Sequence, residues 1–110
     1  YPERDFCIIT LLLNCGLRRA EIAGLNRTDV RDDNTLRVIG KGNKERLIYL
    51  NDACIAAIKE YLAVRPTEDI VYDDRNALFI SRNHRRISPK TVQHLVKTFL
   101  EGKKLIMYLI

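Results

Sequence analysis

The sequence holds only three cysteines, Cys7, Cys15 and Cys54, and no two of them are spaced as Cys-x-x-Cys. An odd number without that spacing argues against both a disulfide framework and a zinc site. Each lies in an apolar helical pattern, so they read as buried free thiols of a reducing compartment. No basic-apolar-small pattern opens the chain, and no apolar run approaches the roughly 18 residues of a membrane span. A soluble protein without membrane partners is expected. Internal repeats, low-complexity stretches and a dividing linker are also lacking.

What is present suits one ordinary domain. The 110 residues are 46% hydrophobic and 30% charged, which is globular composition and enough length for a single modest core. The net charge of +5 is a weak pointer to a polyanion, but its distribution says more. Arg82, Arg85, Arg86, Lys90 and Lys97 fall in a stretch with no acid, whereas Glu68 to Asp74 is acidic.

Pro2 to Cys15 reads as a helix, with acids in its first turn and Gly16 as its C-terminal cap. Phe6, Ile9 and Leu13 share one face, and Ile8, Leu11 and Leu12 cover much of the rest, which predicts a helix central to the core. A short second helix, Arg19 to Leu25, offers Ile22 and Leu25 inward. An antiparallel meander of three strands should follow: an edge strand at Asp29 to Arg31, a half-buried strand through Leu36 and Val38, and a return strand from Arg46 to Leu50, with Gly40 to Asn43 as the hairpin tip. Asn51 or Asp52 then caps a helix with Cys54, Ile58, Tyr61 and Leu62 on one face, ending before Pro66. Ser88-Pro89 opens a last helix burying Val92, Leu95, Val96, Phe99 and Leu100, opposite a stripe of Lys90, Gln93, His94 and Lys97. The fold class expected is α+β, mainly helical, with helices packed around a small antiparallel three-stranded β-meander. Residues 101–110 form a tail of uncertain structure, strand or helix, whose apolar end reads as a truncation or an altered terminus.

Three features carry chemistry. In Gly16-Leu17-Arg18-Arg19-Ala20-Glu21-Ile22, a turn between helices lets Arg18 project, and a guanidinium can hold two oxygens of one phosphate. Glu21, one helical turn on, is placed to orient it; the plainer alternative is a surface arginine with an intrahelical partner. In Gly40-Lys41-Gly42-Asn43-Lys44-Glu45-Arg46, a glycine-flanked lysine sits at a hairpin tip whose Lys41, Lys44 and Arg46 can touch phosphates. It is no Walker loop, since the G-x-x-x-x-G-K-[ST] spacing is absent; a solvated turn is the alternative. The third is the basic loop and helix from Arg82 to Lys97, suited to lie against DNA or simply to face solvent. His84 and His94 each lack a second ligand at helical spacing, so no metal is expected.

In this order the features resemble the tyrosine recombinase (phage integrase) catalytic domain. The likeness runs through Gly16-Leu17-Arg18-x-x-Glu21-Ile22-x-x-Leu25, Val38-Ile39-Gly40-Lys41-Gly42-Asn43-Lys44-Glu45-Arg46, Leu78-Phe79-Ile80-Ser81 and Arg86-Ile87-Ser88. It implies site-specific DNA recombination or integration by cleavage and rejoining through a 3′-phosphotyrosine, without metal or cofactor. By resemblance Arg18 and Lys41 would be catalytic, the first clamping non-bridging oxygens and the second protonating the leaving 5′ oxygen. Glu21 would support them, and Lys44, Arg46, Arg85, Arg86, Lys90, Gln93, His94 and Lys97 would contact double-stranded DNA. The family also implies a tetramer on DNA and a cytoplasmic, bacterial or phage-encoded protein, although this piece alone is expected to be a monomer or weak oligomer.

The likeness has gaps. The family's His-x-x-Arg box has no counterpart: His84 precedes the wrong helix and begins His-Arg-Arg, and His94-x-x-Lys97 ends in lysine. Tyr108 follows no such box and is not read as the nucleophile. The chain is therefore expected to be a partial catalytic domain, inactive alone. Two rivals remain open: a non-catalytic DNA-binding remnant of a mobile element, and a small helical interaction domain whose charge is only solubilising.

Overall fold

The computed structural model describes residues 2–109, with side chains through Gly102. Helix α1 spans Pro2–Cys15 and ends at Gly16, whose φ of 63° is the left-handed turn a glycine takes without penalty. The short α2, Arg19–Gly24, follows. Strands β1, Thr35–Ile39, and β2, Glu45–Tyr49, pair antiparallel with Val38 opposite Arg46 and Ile39 opposite Glu45. Helix α3 is Asp52–Val64, and Asn51 caps it by accepting the Cys54 N–H at 2.9 Å. Helix α4 runs Pro89–Leu109, capped by Ser88, whose Oγ accepts the Thr91 N–H at 3.1 Å. The backbone of 101–109 thus continues α4 as helix.

The sheet has two strands rather than three. The expected edge strand is displaced by a 3-10 turn at Arg27–Asp29. There Asp29 turns back to accept the Asn26 N–H at 2.7 Å, and its other oxygen takes Arg37 at 3.3 Å. What remains of strand pairing there is a single bridge from Val30 to Leu36, beside the Arg31 N–H that donates to the Thr35 carbonyl at 3.0 Å. Local side-chain bonding by an aspartate has outcompeted the ladder.

One core joins Cys7, Ile8 and Leu11 of α1 to Ile22 of α2, Leu36 and Val38 of β1, Cys54, Ile58 and Tyr61 of α3, and Val92 of α4. α1 packs on α3, and α2 packs on α4. The buried side of α1 is Arg4, Cys7, Ile8, Thr10 and Leu11. Phe6 and Leu13 lie on the other side, 60% and 68% exposed, so α1 is not covered all round. Leu62 of α3 and Leu100 of α4 also face outward, contrary to the expected apolar stripes. The outward side of α1 and the facing residues of α4, including His94 and Phe99, line an open groove.

Strand alternation sorts the hairpin by face. Leu36 and Val38 point inward and are fully buried, while Ile39, Glu45, Leu47 and Tyr49 are exposed. On that outer face Arg37 donates to Glu45 at 2.7 Å. Arg46, opposite Val38, belongs to the inner face. No helix among the described residues is long and apolar enough to cross a membrane.

Candidate active site

The site is assembled around Glu21. Its Oε1 accepts the backbone N–H of Arg18 at 2.9 Å, closing the first turn of α2. The same carboxylate receives the Arg46 guanidinium through two bonds, Nη1 to Oε2 at 2.6 Å and Nη2 to Oε1 at 3.1 Å. This is the fork geometry in which arginine matches a carboxylate best. The Glu21 side chain is only 8% exposed while that of Arg46 is 45% exposed, so the carboxylate sits against the fold and the guanidinium covers it from the solvent side. The Arg46 bonds, with the Arg18 N–H, hold the Glu21 carboxyl below its ordinary range, and Glu21 in turn raises the Arg46 guanidinium.

Gly40 completes the arrangement. A Cβ there would stand 3.1 Å from Glu21 Oε2 and 3.3 Å from Arg46 Nη1, so the missing side chain admits the ion pair. Gly40 also donates its N–H to the Lys44 carbonyl at 2.8 Å, closing the hairpin loop. Within that loop Gly42 and Asn43 take φ values of 74° and 58°. Lys41 is exposed there, one residue beyond Gly40, and Arg18 is exposed at the helix junction. Glu21 therefore brings the two sequence motifs to one corner of the fold. Its partner is not the Arg18 guanidinium, as the sequence suggested, but the Arg18 backbone and the guanidinium of Arg46.

The other candidates divide. Lys44, Arg85, Lys90, Gln93, His94 and Lys97 are exposed. Arg85 lies in a tight turn where Ser81 donates to its carbonyl at 2.7 Å and His84 adopts φ 59°. Arg86, expected beside it on a DNA-facing loop, turns inward. Its guanidinium donates to the carbonyls of Ala23 and Leu25 at 3.1 and 2.9 Å and to the Asn26 side chain. It fastens the end of α2 to the start of α4. Among the described residues no group of His, Cys, Asp and Glu could hold a metal ion. The Tyr108 side chain lies outside the described residues.

Two buried arginines escape sequence reasoning. Arg65 donates to the carbonyls of Pro66, Arg75, Ala77 and Leu78, organising the acidic loop, and burial pushes its pKa down. Arg4 donates to the Ile80 carbonyl at 3.0 Å. The Arg-Pro pair ending α3 is the one local hint of the first. The cysteines are free, as expected. Burial, aided by Cys54, pushes the thiols of Cys7 and Cys15 up to about 12 and about 11.

Comparison with known proteins bears on the family and the fold. A tyrosine recombinase XerC of Caldanaerobacter subterraneus subsp. tengcongensis is 56% identical over 109 residues, covering 94% of this chain and 30% of the relative. The XerC of Alcanivorax borkumensis is 44% identical over 95 residues, with 86% and 31% covered. The chain thus spans about 30% of the length of these relatives. The crystal structure of XerA recombinase superposes with a TM-score of 0.74 at 25% identity, over 86% of this chain and 34% of that one. The integrase of transposon Tn1549, solved with circular intermediate DNA, shares the fold at a TM-score of 0.58 and 20% identity, covering 90% of this chain and 38% of its own. The phage integrase family pattern matches residues 1–106. That match takes in every element up to the last turn of α4, and the chain belongs to the phage integrase family.

Proposed function

We propose that residues 1–110 are part of the catalytic domain of a recombinase that cuts and rejoins duplex DNA by transesterification. A tyrosine, supplied by a part of the parent protein outside this segment, loses its hydroxyl proton to solvent and its oxygen bonds to phosphorus as the bond to the 5′ oxygen breaks. Arg18 holds the non-bridging oxygens, and Lys41 gives its proton to the leaving 5′ oxygen. The 3′-phosphotyrosine then conserves the bond energy until a second strand's 5′ hydroxyl reverses the step. No metal or cofactor enters this scheme. Lys44, Arg85, Lys90, Gln93, His94 and Lys97 ride along the DNA backbone. Four protomers on two duplexes, acting in the cytoplasm, complete the reading.

The observation that carries it is the Glu21 carboxylate, which ties the arginine-bearing junction to the lysine-bearing hairpin. The test is covalent capture on a suicide DNA substrate. The full-length protein should form an adduct and its Arg18→Ala variant should lose it, since one such donor contributes about 3–4 kcal/mol to the transition state. The 110-residue chain alone should form none. Near-normal cleavage by Arg18→Ala would end the reading.

A further inference from the structure

Arg46 occupies an unusual position for a residue on a basic hairpin. Lys41 and Lys44 are free to meet DNA at the tip, but Arg46 is on the inner face of the ribbon, paired across from the buried Val38. Each of its terminal nitrogens gives one bond to Glu21, at 2.6 and 3.1 Å, which fixes the guanidinium although the side chain is 45% exposed. Glu21 is at the same time fixed to the Arg18 N–H, and Gly40 leaves the space the pair needs. A two-stranded ribbon has little rigidity of its own. Among the described residues this pair is the one ion pair joining the hairpin to α2.

We infer that Arg46 is a positioning residue rather than a DNA contact: its two-point grip on Glu21 locks the Lys41 hairpin onto the Arg18 junction, so that acid and clamp address one phosphate. The inference rests on the proposed function, with Lys41 as general acid. Misplacing a catalytic group by about 1 Å can cost roughly a hundredfold in rate. A loose hairpin should therefore slow the step that needs Lys41's proton, and leave DNA affinity largely alone.

The experiment compares two DNA substrates in the full-length protein, one ordinary and one with sulfur in place of the 5′ bridging oxygen. A thiolate leaves without being protonated, so a defect in proton delivery disappears on the sulfur substrate. Lys41→Ala is the control. Arg46→Ala and Glu21→Gln should each cut ordinary DNA roughly a hundredfold more slowly and regain most of that loss with sulfur. Arg46→Lys keeps the charge without the fork and should fall between. Circular dichroism checks that each variant is folded, and Glu21→Gln, nearly isosteric, serves if Arg46→Ala is not.

If Lys41→Ala is rescued but Arg46→Ala and Glu21→Gln are not, the positioning role is wrong while the function stands. Weaker DNA binding with an unchanged cleavage rate would make Arg46 a DNA contact after all. Failure of sulfur to rescue Lys41→Ala itself would remove the general acid, and this inference with it.

Discussion

Tyr61 of α3 accepts the backbone N–H of Ile80 through its hydroxyl at 3.1 Å, and both residues are buried. The bond reaches across 19 residues and pins the extended piece after the acidic loop to the core. The Tyr61 ring stacks on Phe79, with centroids 5.3 Å apart. Tyr61→Phe keeps the ring and its stacking but strands the Ile80 N–H. It should lower unfolding stability by about 1–3 kcal/mol, read from urea denaturation. A midpoint equal to wild type would show that another acceptor reaches Ile80.

Glu21 gives the fold a pH signature. Its carboxyl is held below the ordinary 4.5, chiefly by the Arg46 hydrogen bonds. A depressed carboxyl stabilises the fold in its ionised form, so the contribution is complete above pH 4.5 and drains away as pH falls through the lower folded value. The stability gap between wild type and Glu21→Gln should therefore narrow below pH 4.5. Denaturation at several acidic pH values checks this, and a gap that stays constant contradicts it.

Salt should report the DNA-facing surface. Log affinity of the 110-residue chain for duplex DNA is expected to fall steeply with log salt, by about 0.9 for each phosphate contacted. Removing exposed Lys90 or Lys97 should each flatten that slope by about 1 at most. A flat response in the unaltered chain would favour an interaction domain whose charge only solubilises it.

The sequence was most legible where the signal is local. The Pro2 and Gly16 bounds of α1, the caps at Asn51 and Ser88, and the tip at Gly40 to Asn43 all follow from backbone preferences of single residues. Exposure was less so. Phe6 and Leu13 fit a helical stripe as well as Ile8 and Leu11 do, and only the placement of α3 and α4 decides which side is covered. The expected edge strand is lost to a local cause: Asn26-x-x-Asp29 is itself a turn-closing pair. The site was legible as motifs but not as a connection. Glu21 and Arg46 are 25 residues apart, and nothing in either motif says that they meet. Arg86 likewise looks like one more basic residue until the carbonyls of Ala23 and Leu25 are seen around it.

Helix α2 has only six residues, too few to persist by its own hydrogen bonds. It is held by Glu21 at one end and by Arg86 at the other. The amides of this helix should then exchange with solvent chiefly when the hairpin or the base of α4 detaches, because its own first-turn cap is too little to sustain six residues. Evolutionary drift in either fastening would move Arg18 without touching it, which makes the junction sensitive to changes far from the residue it presents.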